Sequence, residues 1–382
     1  MGASEPGDTI VDSRERLLTA IHNDKPDRLP CQVHSWMQYY LDTYLDGRNQ
    51  FEAYACFPGM DWVIYAAPRF GYREADLANW QVRVIHPGPA VSQEHVGSNA
   101  IWREVIETPG GTLTRTQARN AFTTWTTEYL IRSEEDFEIW DRYSPLPEKV
   151  DWTPVIEAKA RVGSRGIVRG GFFGFGQGSP WQDFCTLYGT QNAIMATFDQ
   201  PDWVHHVLEA LLQKKLAVIE RGTRFALDLV ETGGGAGSST VIGPRLHREF
   251  CLPYDRRQHA ALHAAGTKVV YHLCGGVMPL LDTVATNGAD GLETMTPPAM
   301  GGDCDLAAAY RRVGDRLFFI GGFDQNAGFE QGTPEVAAQL VWACHAACPD
   351  GGYICSPSDH FFHGDPANVR AFAATAAGCT YG

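Results

Sequence analysis

The chain has 382 residues, 44% hydrophobic and 20% charged, and a formal net charge of −14 from 45 acidic and 31 basic residues. That length suits one α/β barrel of roughly 250 residues, or more than 400 with insertions, as well as two average domains. The acidic balance, with no Lys/Arg-rich block, excludes nucleic acid as a main partner, and no apolar run approaches the roughly 20 residues of a membrane span.

The opening MGASEPGDTIVDSRERL has neither the basic start nor the apolar stretch of a secretory signal, and Pro6 breaks the lipidation pattern that Gly2 would begin. The expected compartment is the cytoplasm, where the ten cysteines stay reduced. Their spacing contains no CxxC, against a disulfide framework or a zinc ribbon.

SRERLLTAI predicts a helix capped by Ser13 and ending before Pro26, followed by a short strand in LPCQVHSW and another in MDWVIYAA. From Trp80 to Arg119 the segments QVRVI, AIWREVIET and TLTRTQA alternate around a TPGG turn, the pattern of an antiparallel hairpin insertion at about residues 80–120. DWTPVIEAKARV then predicts a helix and GIVRGGFFG a strand. Beyond these the alternation is regular. Strands FALDLVE, KVVYHLC, DGLETM, LFFIGG and GGYICS are separated by helices, including RLHREFCLPYDRRQHAALHAAG and VMPLLDTVATNG. Eight strands counted from Leu29, most of them alternating with helices, predict a single (β/α)8 barrel over residues 1–382 rather than an open sheet, and no GxGxxG opens a helix. Functional groups in such a barrel sit at the C-terminal strand ends.

Alternate residues on a strand share a face, so His272 and Cys274 in KVVYHLCGG project the same way. Glu231, Glu293, Asp324 and Cys355 lie at corresponding strand ends. His272, Cys274, Glu293 and Cys355 make an N/S/O set that suits tetrahedral zinc. A strand-end cysteine taken alone, such as Cys355, is ordinarily core packing. His259 and His263 have HxxxH spacing but lack the glutamate of a zincin.

Through YHLCGG…GADGLETM, GGFD, IGPRLHREFCLPY and RERLLTAIHNDKPDRLP the chain resembles the uroporphyrinogen decarboxylase superfamily. Within it the likeness is to methyltransferases that work with corrinoid proteins and methylated small molecules. The resemblance implies the same barrel and zinc ligands at His272, Cys274 and Cys355, with Glu293 matching a glutamate in cobalamin-independent methionine synthase. One departure is clear. Porphyrin decarboxylases carry an arginine-bearing segment near their N-terminus, whereas CQVHSWMQYYLDTYLDG has no arginine from Leu29 to Gly47. A porphyrin substrate is thereby disfavoured, and Trp36, Tyr39 and Tyr40 favour a smaller or less charged ligand.

The expectation is a zinc-dependent methyltransferase in which Glu293 exchanges for a substrate thiol, with a corrinoid protein or another methyl carrier as partner. The alternative direction passes the methyl group to a cobalt(I) corrinoid. Glu231 is a candidate partner of the metal-bound histidine, and Asp324 a catalytic candidate. Phe173 in GGFFGFG, Asp359, His360 and His363 are candidate substrate contacts, and the superfamily likeness makes a homodimer plausible. The rivals are a metal-free decarboxylase and a non-catalytic zinc-stabilised barrel.

Overall fold

A computed structural model describes residues 11–86, 100–172 and 178–382. Seven strands form one parallel sheet in the order β1-β8-β9-β10-β11-β12-β13. They are β1 Trp62–Tyr65, β8 Gly166–Gly170, β9 Leu229–Gly233, β10 Lys268–His272, β11 Gly291–Thr294, β12 Phe318–Phe323 and β13 Tyr353–Pro357. The two edges meet the same short segment. Cys31 pairs in parallel with Cys355, the Gln32 N–H donates to the Cys355 carbonyl at 3.0 Å, and the Asp61 N–H donates to the Cys31 carbonyl at 2.8 Å. The chain around Cys31 is thus an eighth stave that closes the barrel expected from the sequence.

Helices cover the outside, as a parallel sheet requires. The Pro201–Gly222 helix shows why these segments are helical: Val204, Val207, Leu208, Leu211, Leu212, Val218 and Ile219 recur at helical spacing and are all buried. Pro180 begins another helix, where its missing N–H costs nothing, and the Ser179 side chain accepts from the Gln182 N–H. Two expected helices are modified. In RLHREFCLPYDRR the turn His247–Cys251 is π-helical before the helix Leu252–Ala264, because Pro253 has no N–H with which to continue the regular ladder. VMPLLDTVATNG shortens to a 3-10 turn at Met278–Leu280 and one turn of helix at Leu281–Val284. No helix among the described residues is long and apolar enough to cross a membrane.

The region expected to be hairpins is an antiparallel sheet of β3 Gln81–Ile85, β4 Ala100–Thr108, β5 Gly111–Arg119 and β6 Thr124–Glu128, the last an addition to the predicted elements. Ile106 and Leu113 from its inner face join a core with Phe137, Trp140 and Leu211. The two remaining short strands, β2 Arg69–Gly71 and β7 Lys149–Asp151, pair with each other.

The barrel interior is layered. Leu17, Ala20 and Ile21 of the first helix, Ser13–Ile21, form one buried cluster with Val63, Ile167, Leu229, Val270, Phe318, Ile320 and Ile354, which plugs the N-terminal end. Two residues further along β1, β8, β9 and β10 the same face carries Tyr65, Arg169, Glu231 and His272. The polar mouth is therefore the layer directly above an apolar plug.

Candidate metal centre

His272 ends β10 in register with Glu293 of β11. Its Nδ1 donates to Glu293 Oε1 at 3.0 Å, and Glu231 Oε1 lies 3.7 Å away. Arg169 Nη2 donates to both Glu293 Oε1 and Glu231 Oε2 at 2.8 Å, while the Tyr65 hydroxyl donates to Glu231 Oε2 at 3.2 Å. The guanidinium lies over the Tyr65 ring, 4.9 Å from its centroid. His34, carried by the closing stave, has its ring 5.3 Å from that of His272 and 5.0 Å from that of His360. The ligand atoms of His34, His272 and Glu293 all lie within 4.8 Å of one another, and so do those of His34, Asp359 and His360.

Burial pushes His34 down to about 4, even though Glu293 opposes the shift, so the ring is neutral and offers a lone pair near pH 7. Burial would lower His272 too, but the Cys274 thiol and Glu293 lift it well above the usual histidine range. Glu293 is the converse case. Burial would raise it, but Arg169 and His272 hold it well below the ordinary carboxylate range, and it stays ionised. Glu231, Glu293 and Asp359 thus face two cationic groups, the Arg169 guanidinium and the His272 imidazolium, so the mouth carries an excess of negative charge.

Glu293 Oε2 is buried without a hydrogen-bond partner. A buried ionised oxygen left bare costs free energy, and a divalent cation beside it would relieve that cost. The donor set fits the group that the sequence implied: neutral imidazole, carboxylate and an adjacent thiol all bind zinc.

Cys274, half-buried, contacts His272 at the side of this cluster, but its thiol is in neither group of converging ligand atoms. Gly235 lies opposite it, where a Cβ would come within 2.7 Å of Cys274 Sγ and push the thiol aside. Immediately after Glu293, Thr294 and Met295 have φ of 80° and 47°, a left-handed pair that side chains rarely adopt. Such strain is held in place by its surroundings: Thr294 pairs with Gly321 of β12, a position where an added Cβ would collide with the Thr294 carbonyl oxygen.

The expected fourth ligand, Cys355, is not brought to this cluster. Its neighbour Ile354 faces the interior plug, so Cys355 faces the other way, where its thiol meets Cys344 of the Pro334–Ala347 helix. Neither group of ligand atoms found among the described residues includes it. Asp324 is likewise employed elsewhere, its carboxylate accepting the Ala327 N–H at 2.9 Å. Trp36 stacks on Phe57 in an aromatic core, whereas Tyr39 packs on Phe122 and His363 at the surface, with ring centroids 4.6 and 5.3 Å away. Tyr40, by contrast, is wholly buried. Asp359 and His360 do reach the mouth, paired at 2.7 Å. Phe173 lies outside the described residues.

Sequence reasoning misses His34, Arg169 and Tyr65. For Arg169 a signal exists: a charge in the middle of GIVRGG must be paired if the strand is buried. His34 and Tyr65 carry no comparable mark.

Residues 127–378 match the model of the family described as uroporphyrinogen decarboxylase (URO-D). A uroporphyrinogen decarboxylase of Coxiella burnetii is 31% identical over 170 residues, covering 38% of this chain and 41% of that protein. One from Chlorobaculum parvum is 28% identical over 199 residues, covering 47% and 50%. The chain thus spans half or less of the length of the curated relatives it matches. A methyltransferase from Methanosarcina mazei superposes with a TM-score of 0.63 over 96% of this chain and 98% of that one, at 14% sequence identity, a likeness of fold.

Proposed function

The chain belongs to the uroporphyrinogen decarboxylase (URO-D) family, and within it we propose a zinc-dependent methyltransferase. It would move a methyl group between a small methylated compound, a corrinoid protein or other methyl carrier, and a thiol or cobalt(I) acceptor. The observation that carries this reading is the buried group His34, His272 and Glu293, its ligand atoms within 4.8 Å of one another, with Cys274 against His272.

His34, His272 and Glu293 would hold the zinc, and Cys274 would be the soft ligand. Bound there, zinc would lower the pKa of a substrate thiol and hold it as a nucleophilic thiolate. The chain's own residues do the rest. Glu293 is the exchangeable ligand: Arg169 and His272 already donate to its Oε1, so a carboxylate that gives way to the incoming thiol has partners waiting. Glu231, fixed through Oε2 by Tyr65 and Arg169, keeps Oε1 to receive the thiol proton. The apolar plug below excludes water from that side.

The curated relatives bear the name uroporphyrinogen decarboxylase, but a polycarboxylate is a poor match for this mouth. Arg169, which projects into the barrel, is already bound to two glutamates, and the surplus charge is negative. The proposal includes a cytoplasmic location and a homodimer, with a corrinoid-carrying protein as partner.

The test is metal analysis of the purified protein, followed by mixing with methylcobalamin and a simple thiol while the corrin spectrum is followed. Stoichiometric zinc, and demethylation lost in His272→Ala, are expected. A zinc-free protein with full activity in that variant would refute the reading.

A further inference from the structure

Two of the histidines at the mouth are each tied to a carboxylate of their own, His272 to Glu293 at 3.0 Å and His360 to Asp359 at 2.7 Å. His34 stands between them and belongs to both groups of converging ligand atoms. The methyltransferase reading employs the inner group and leaves the outer one without a role. We propose that His34, Asp359 and His360 form a second ligand set for a divalent cation, outside the first and sharing His34 with it.

Three observations support this. The first is the tether on His360. Its Nδ1 stands 2.7 Å from Asp359 Oδ1 with one proton between them, and a cation that takes the place of that proton, the ring keeping its other proton on Nε2, is held by both residues at once. The second is the gradient of exposure. The side chains of His360 and Asp359 are 35% and 36% exposed, against 2% and 0% for His272 and Glu293, so an ion arriving from solution meets the outer set first. The third is the hub. A neutral imidazole has one acceptor nitrogen, so His34 serves one set at a time, and the pair of sets has a capacity of one ion.

This arrangement rests on the metal-dependent reading of the same mouth, and it gives that reading an entry path. The outer set captures the cation while Glu293 remains on Arg169, and the inner set receives it as Glu293 turns its bare Oε2 inward.

Titration of the metal-free full chain with Co2+, followed by visible absorption and by the rate of uptake, tests the proposal. Wild type should bind one Co2+ per chain. His360→Gln and Asp359→Asn should slow uptake or weaken binding roughly 10- to 100-fold. Glu293→Gln should still bind one Co2+, with the altered spectrum of the outer set. His34→Ala should weaken binding more than any of these while its circular dichroism stays native. If His360→Gln and Asp359→Asn match wild type in rate, affinity and spectrum, the outer set is refuted while the inner one stands. Two ions per chain would refute the shared hub. Failure of the wild type to bind Co2+ would refute the methyltransferase reading and this inference together.

Discussion

Replacing Arg169 by leucine should cost the metal-free protein about 3–5 kcal/mol of folding stability, the usual consequence of stripping one partner from a buried ion pair. Arg169 Nη2 sits 2.8 Å from each of two carboxylates, and its side chain is wholly buried. At an effective dielectric of about 20 each contact contributes roughly 6 kcal/mol of Coulomb attraction, and the desolvation of three charged groups cancels much of the sum. Without the guanidinium, Glu231 and Glu293 are left in the barrel with His272 as their shared counter-charge. Zinc replaces one positive charge with two, so it should stabilise the variant more than the wild type. At a hundred times the dissociation constant the linkage contribution is about 2.7 kcal/mol, and the variant's tighter binding adds to it at equal zinc. Urea denaturation followed by circular dichroism, in chelator and in excess zinc, measures all four values. A loss under about 1 kcal/mol in chelator, or a zinc gain no larger than wild type's, would show that Arg169 is not the counter-charge of a metal site.

Cys355→Ala should keep the zinc content of wild type and lose about 1–2 kcal/mol through the vacated core volume, whereas Cys274→Ala should weaken zinc binding at least about tenfold. Elemental analysis and a chelator competition separate the two, and loss of zinc in the first variant would mean that Cys355 turns inward after all. Asp255 gives a prediction in pH. Burial pushes its carboxyl up to about 7, against the pull of the Tyr271 hydroxyl and of Lys215. Its folded value exceeds an unfolded value of about 3.9, so the folded state holds the extra proton between these limits and stability falls as pH rises through them, by up to ~4 kcal/mol. Asp255→Asn should flatten this slope in denaturation curves taken from pH 4.5 to 8, and curves parallel to wild type would show the carboxylate ionised in the fold. Gly321 has φ of 120°, and a methyl group there would meet the Thr294 carbonyl at 2.1 Å. Gly321→Ala should therefore cost more than about 2 kcal/mol and lower zinc affinity by displacing Glu293; wild-type affinity in a folded variant would remove the link between the two.

The barrel is legible in the sequence because each of its strands is a short apolar run set between amphipathic helices, and His272 with Cys274 is legible because residues two apart share a face whatever the register. Cys355 shows where that logic stops. A strand end fixes height along the barrel, but which face a single residue takes depends on parity. In a parallel sheet covered on both sides the strand offers no polar alternation from which to read it. In YICSP both faces are buried, and the inward residues prove to be Ile354 and Ser356 rather than Cys355. His34 is hidden for a different reason. The stave that carries it is held by one bridge at Cys31 and a few backbone hydrogen bonds, with no regular ladder and therefore no periodic signature. Arg169 is the opposite case: in an otherwise apolar strand its charge must be buried, and a buried charge demands partners of opposite sign. The structure supplies those partners in Glu231 on the adjacent strand β9 and Glu293 across the barrel mouth on β11, and the unmarked His34 completes this acidic mouth.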